Sequence, residues 1–296
     1  MTTVAVLGIG HMGSAMSRAL VRAGHEIVLY NRTAERARPL ADELGVRVAE
    51  SAAEAVAGSE VAISMVADEA AVEALYRSPG GVLDGLHEGG VVADMSTVPP
   101  TTVQALEADV RAAGAAILDA PVSGSVSLAE AGQLTIMVGG EAEAVERARP
   151  VFDALAKQVF HLGPLGSGAA MKLGVNTLIF GLNEALAEGL VLAERAGIER
   201  GLAYDVLAAS AAGAPFVGYK RAAFLDPDGT PPVFALELAE KDLRLITTFA
   251  DSLGVPVPQA RVNLDVIRSA SDDGQPDADF SAVAVHLRGG GPPNRT

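Results

Sequence analysis

Short apolar runs recur through the first half of the chain, at residues 3–7, 26–30, 61–65, 91–94 and 116–119. Each is rich in Val, Ile and Ala and too short for a stable helix, which is the pattern of strands buried on both faces. Between them, segments with apolar residues three and four apart predict helices at 12–23, 34–44, 52–56, 69–76 and 100–113. Strands alternating with helices in this rhythm predict a doubly wound α/β fold around a parallel sheet. Two further runs, 134–138 and 158–161, flank a predicted helix at 141–156 and complete that sheet.

The rhythm changes at Gly163-Pro164-Leu165-Gly166-Ser167-Gly168. Residues 169–196 contain no strong breaker and predict one long helix, although Gly174, Gly181 and Gly189 each cost up to ~1 kcal/mol against Ala. Helices are predicted again at 202–209, 234–252 and 258–271, with no extended strand pattern. The expected organisation is a sheet domain over 1–163, an all-α domain over 164–288 entered through the long helix, and a frayed Gly/Pro tail over 289–296.

Composition narrows the function classes. With 22 Lys and Arg against 37 Asp and Glu, the formal charge of −15 disfavours nucleic acid and anionic membrane as partners. The absence of cysteine excludes disulfides and thiolate chemistry and suits a reducing cytoplasm. The first residues lack a basic segment ahead of their apolar run and do not read as a signal peptide. The most apolar part of the long helix, about residues 173–182, contains Asn176 and is read as too short to span a bilayer. No histidine has a second ligand at metal-binding spacing, so no metal is expected.

Gly8-Ile9-Gly10-His11-Met12-Gly13 follows the first strand and opens the first helix. In that context G-x-G-x-x-G reads as the dinucleotide-binding turn of a Rossmann-type fold, with the pyrophosphate on the helix N-terminus, and an ordinary glycine-rich βα turn is the competing reading. The second strand ends in Asn31-Arg32-Thr33, where an NAD-specific site usually carries an acid. Arg32 can fork onto a 2′-phosphate while Asn31 and Thr33 donate to its oxygens, which favours NADP(H) over NAD(H). Thr33 as a helix N-cap and Arg32 as a solvated charge is the competing reading.

Two more groups carry candidate chemistry. Asp119-Ala120-Pro121-Val122-Ser123-Gly124-Ser125 ends a strand in small residues whose amides and hydroxyls can hold a carboxylate, and a plain βα loop of turn formers is the competing reading. Lys172 is the single charge between Gly163 and Leu182, and Asn176 shares its helix face. A positioned ammonium can stabilise the negative charge on a carbonyl oxygen that receives hydride and then donate the proton. Alone, such a lysine more often snorkels to water.

Taken in order, the glycine turn, the Asp119–Gly124 stretch, Gly166-Ser167-Gly168 with Lys172 and Asn176, and Lys241-Asp242-Leu243 resemble the β-hydroxyacid dehydrogenase family across nearly the whole chain. The resemblance implies Lys172 and Asn176 as catalytic residues and Ser123 and Gly124 as anchors for a substrate carboxylate. It also implies that Met65, Val66, Thr97 and Lys241 meet the cofactor, and that Phe234 and Asp242 line the substrate pocket. Capping of the helix after Pro99-Pro100 competes for Ser96 and Thr97, and a plain core role competes for Phe234. A surface ion pair with Lys241 competes for Asp242. The chain departs from the family pattern at Ser125, where many relatives have Gly, and at Val175, where many have Asn. The expected substrate is a small carboxylate-bearing aldehyde or hydroxy acid, handled by a homodimer or higher homo-oligomer. An imine reductase-like enzyme of the same superfamily and a non-catalytic NADP-binding scaffold are the alternatives.

Overall fold

The computed structural model describes residues 1–273 and 276–289. The chain divides into two compact units, with the division falling inside the long helix between Lys172 and Leu173. The first unit therefore includes the turn at 163–168, where sequence rhythm alone places the domain boundary.

Nine strands form the sheet of the first unit: β1 (Thr3–Leu7), β2 (Glu26–Tyr30), β3 (Arg47–Val48), β4 (Val61–Ser64), β5 (Val91–Asp94), β6 (Ala116–Asp119), β7 (Val122–Ser123), β8 (Leu134–Gly139) and β9 (Ala156–Gly163). Their order is β3-β2-β1-β4-β5-β6-β8-β7, with β9 also paired to β8. Strands β1 to β6 are parallel. Beyond them the sheet is mixed: β6 and β7 run antiparallel to β8, and β9 is parallel to β8. Pro121, which has no N–H for a ladder, separates β6 from β7, and a short helix, Val126–Glu130, turns the chain back into β8.

Alternate residues of each parallel strand enter different cores. Val4, Val6, Ile63 and Ala93 pack beneath Met16, Ala19 and Leu20 of the helix His11–Arg22. Ala5, Leu7, Ala62 and Val92 pack on the opposite face with Val72 and Tyr76. Burial on both faces explains why these strands read as continuous apolar runs.

Several predicted elements divide or shift. The 34–44 segment is a 3-10 turn, Ala34–Arg36, followed by a helix, Arg38–Leu44, with Pro39 in its first turn. The 100–113 segment is two helices, Pro100–Gln104 and Glu107–Ala112. A helix at Pro215–Leu225 has no counterpart in the sequence expectations.

In the second unit only helices and one isolated bridge, Ala235 to Asp279, occur among the described residues. Gly289 closes the helix Val283–Gly289, while the rest of the expected tail, 290–296, lies outside the described residues. The long helix runs Ser167–Arg195, and its three internal glycines do not interrupt it. At 29 residues, with a window of mean hydropathy 1.3, it is long and apolar enough to cross a membrane, contrary to the shorter stretch read from sequence. Its Leu173, Phe180, Ala187 and Leu190 belong to the core of the second unit.

That helix also buries Glu184, 4% exposed, whose Oε1 has no hydrogen-bond partner among the described residues. Burial first, and then the charge of Glu188, push its carboxyl up to about 8, against the opposing hydrogen bond of Asn183. The unfolded chain therefore releases this proton near pH 4.5 and the folded chain only near 8. Its contribution to stability is fully present below 4.5 and is lost as pH rises towards 8. Glu184→Gln keeps the shape of the protonated acid and removes the titration. Unfolding curves from pH 4 to 9 should show wild type losing several kcal/mol relative to this variant, at ~1.4 kcal/mol per unit of the gap. Parallel pH profiles would contradict this.

Candidate functional site

The glycine turn has the shape the motif requires. Gly8 sits at φ +104°, and a Cβ there would lie 2.3 Å from the Met65 carbonyl oxygen. A Cβ at Gly13 would lie 2.0 Å from the Gly8 carbonyl oxygen, so this glycine lets the helix start close against the turn. At Gly10 a Cβ would meet nothing within 4 Å, which leaves open space over the N-cap of a 12-residue helix. No side chain caps that helix start. Free N–H groups facing an open cradle fit a pyrophosphate.

The flanking residues divide into scaffold and surface. Ile9 is buried and Met12 packs on the core, so their side chains support the turn, while His11 is exposed. Asn31 braces it: its Oδ1 accepts the Ile9 N–H at 2.9 Å and its Nδ2 donates to the Thr33 carbonyl at 2.8 Å. That use of the amide was not anticipated from sequence. Arg32 and Thr33 are exposed, and Thr33 precedes the 3-10 turn without a side-chain cap bond.

The ends of β4 and β5 are joined by a buried polar chain. Ser64 Oγ donates to Asp94 Oδ2 at 2.6 Å and lies 3.2 Å from Tyr76 OH. The Ser96 N–H donates to Asp94 Oδ1 at 3.0 Å, and Ser96 Oγ accepts the Val66 N–H at 3.0 Å. Ser96 thus does not cap the following helix, whose N-cap is Pro99. Burial pushes the Asp94 carboxyl up to about 6, against the hydrogen bonds from Ser64 and Ser96.

The Asp119 carboxylate accepts the N–H of Gly166 at 2.7 Å and of Ala169 at 2.6 Å, and so holds the start of the long helix. Burial raises this carboxyl, and the backbone donors oppose that shift. Gly168 permits the close docking, because a Cβ there would lie 2.3 Å from the Met137 carbonyl oxygen. One turn into the helix stands Lys172, half-buried, with Asn176 a turn further on. Ser123 ends β7, half-buried, and its hydroxyl has no hydrogen bond to a described residue. Gly124 follows at φ +142°, where a Cβ would lie 2.7 Å from Leu134 Cδ2. Ser125, one of the departures from the family pattern, caps the next helix through the Leu128 N–H at 3.3 Å.

The second unit gathers another group. Asn176 Nδ2 donates to Asp242 Oδ2 at 2.7 Å, and Lys241 Nζ pairs with Asp242 Oδ1 at 2.9 Å. Asp242 is 1% exposed, so this is not the surface ion pair that sequence allowed. Phe234 packs in an aromatic cluster, 5.5 Å from Phe280 and 6.3 Å from Phe180 between ring centroids. Sequence reasoning missed the buried pair beneath it. Lys220 Nζ contacts both Asp279 oxygens at 2.6 and 2.7 Å and lies 4.1 Å from the Phe280 ring centroid. Asp279 also accepts the N–H groups of Val233 and Phe234. Among the described residues no cluster of three or more His, Cys, Asp or Glu could hold a metal.

Sheet order, glycine turn and uncapped helix start define a dinucleotide-binding protein. Residues 3–163 match the family described as the NAD-binding domain of 6-phosphogluconate dehydrogenase. Residues 166–287 match the family described as NAD-binding of NADP-dependent 3-hydroxyisobutyrate dehydrogenase. The chain is 36% identical over 280 residues to glyoxylate/succinic semialdehyde reductase 1 of Arabidopsis thaliana, covering 95% of this chain and 96% of that one. It is 34% identical over 290 residues to NAD-dependent L-serine dehydrogenase of Pseudomonas aeruginosa, covering 96% and 97%. The solved 3-hydroxyisobutyrate dehydrogenase from Salmonella typhimurium has the same fold, with a TM-score of 0.89 at 30% identity over 96% of this chain and 99% of that one. The chain belongs to the β-hydroxyacid dehydrogenase family.

The glycine geometry separates binding from folding. Gly10→Ala places its methyl in the open cradle and should leave Tm nearly unchanged while weakening NAD(P)H by at least about tenfold. Gly13→Ala collides with backbone and should lower stability by ~1–3 kcal/mol. Melting curves and cofactor titrations of both variants check this; a Gly10→Ala that binds cofactor like wild type would contradict it.

Proposed function

We propose that this chain is an NADP(H)-dependent oxidoreductase that interconverts a small β-hydroxy acid and its semialdehyde, with Lys172 moving the proton. The observation that carries the reading is Lys172 itself. It is the single charge in an apolar stretch, on a helix whose start is fixed by the Asp119 carboxylate at the end of β6.

The bound nicotinamide supplies or accepts the hydride. In reduction the Lys172 ammonium stabilises the charge growing on the carbonyl oxygen and gives it a proton. In oxidation the neutral amine takes the hydroxyl proton, so that direction favours alkaline pH. The hydroxyl of Ser123 and the small Gly124 beside it suit a carboxylate, which gives the substrate its class. Within the second unit, Asn176 and Lys241 hold Asp242 in place, and Asp242 and Phe234 are the residues that would meet the substrate there.

One relative is named NAD-dependent and one matching family is described as NADP-dependent, so the cofactor preference rests on residues 31–33. Arg32 is exposed and makes no hydrogen bond or ion pair with a described residue, leaving its guanidinium for a 2′-phosphate. Asn31 contributes by fixing the strand end to the glycine turn. A homo-oligomer in the cytoplasm completes the proposal. On the long helix, Met171, Leu178 and Leu192 are 45%, 64% and 74% exposed at heptad-like spacing, a face suited to a second copy.

Single-turnover hydride transfer in Lys172→Ala, with cofactor occupancy measured separately, tests the reading. The expected loss is ~10²–10⁴-fold with folding and NADPH binding retained. Lys172→Arg should not rescue it, because guanidinium holds its proton too tightly. A Lys172→Ala rate within about threefold of wild type would overturn the assignment.

A further inference from the structure

The buried chain between β4 and β5 lies in the half of the sheet opposite the Arg32 strand. In the order β3-β2-β1-β4-β5-β6, strands β1 to β3 form one mononucleotide half and β4 to β6 the other. Residues 31–33 follow β2 and belong to the adenosine half, so the loops after β4 and β5 face the nicotinamide half. The loop after β4 also touches the glycine turn, because a Cβ on Gly8 would lie 3.0 Å from the Met65 carbonyl carbon and 3.2 Å from Val66 Cγ1.

A side-chain hydrogen bond ties that loop to its neighbour: the Val66 N–H donates to Ser96 Oγ. The direction of each hydrogen bond here follows from the Asp94 carboxylate, which only accepts. Ser64 must donate to it, which leaves the Ser64 oxygen to accept from Tyr76. Ser96 turns its N–H, and at 3.4 Å its hydroxyl, towards the same carboxylate, which leaves an oxygen lone pair facing Val66. Tyr76, Ser64, Asp94 and Ser96 are at most 2% exposed, so no solvent competes for these bonds.

We propose that Asp94 is a positioning residue of the cofactor site: by orienting Ser96 it fixes the Val66 loop, and with it the wall of the nicotinamide half of the crevice. This rests on the glycine turn binding a nicotinamide dinucleotide. Asp94 touches neither cofactor nor substrate in this role. It acts through Ser96 and Val66.

The test compares binding of the whole cofactor with binding of its adenosine half. Asp94→Asn keeps the side-chain shape but faces an N–H₂ donor towards the Ser64 and Ser96 hydroxyls. Ser96→Ala deletes the acceptor of the Val66 N–H and leaves Asp94 in place. Dissociation constants are measured by titration for NADPH and for adenosine 2′,5′-bisphosphate. NADH and ADP replace them if wild type binds NADH more tightly. Both variants should weaken the dinucleotide on the order of tenfold and leave the adenosine fragment within about twofold. If Asp94→Asn does not fold, Ser96→Ala decides by the same criterion. A folded variant that binds both probes like wild type, or that weakens both alike, overturns the positioning role. A wild type that binds neither dinucleotide instead overturns the cofactor reading on which it rests.

Discussion

Two backbone N–H groups at the start of the long helix, those of Gly166 and Ala169, end on the carboxylate of Asp119. A helix N-terminus carries partial positive charge and unpaired donors, and an ionised acceptor placed there satisfies both. Burial works against the charge and raises this carboxyl, so its ionised form depends on those backbone donors. Lys172 sits one turn beyond the capped residues and Asn176 a turn beyond Lys172, so fixing the start of the helix fixes their heights along it. Gly139 and Gly168 are part of the same constraint, since a Cβ on either would enter the space of the Asp119 carboxylate.

Carboxylates organise the rest of the fold in the same manner, each by accepting from groups distant in sequence. Asp94 joins the ends of β4 and β5 in the sheet. Asp279 accepts from Lys220 and from the backbone of Val233 and Phe234, which holds Phe234 against its aromatic neighbours. Asp242 receives Asn176 and Lys241. A buried charge is tolerated only when its acceptors are filled, and here each filled acceptor also locates a residue that candidate chemistry uses. The chain's excess of acidic residues therefore has an internal as well as a surface part.

Periodicity made the parallel sheet and the long helix legible, because two-sided burial leaves uninterrupted apolar runs and helical burial leaves three–four spacing. Strands of two residues, such as Arg47–Val48 and Val122–Ser123, carry no period and were not visible. The glycine turn and Lys172 could be read locally, since glycine spacing and a lone charge are local signals. The clamps could not. Asp119 acts 47 and 50 residues away, and Lys220 meets Asp279 at a separation of 59. Asn31 shows the same limit on a smaller scale. Its position at the strand end suggested a phosphate donor, whereas its amide spans 22 residues to hold the glycine turn.

The central claim is that this chain reduces a small carbonyl compound recognised through a carboxylate, using NADPH. Its most direct test is the steady-state consumption of NADPH by wild-type protein with short semialdehydes that differ only in bearing a free acid or its methyl ester. The expected result is turnover of at least one free acid and little turnover of the matching ester. Equal rates for acid and ester, or no NADPH consumption with any acid in the presence of demonstrated NADPH binding, would contradict it.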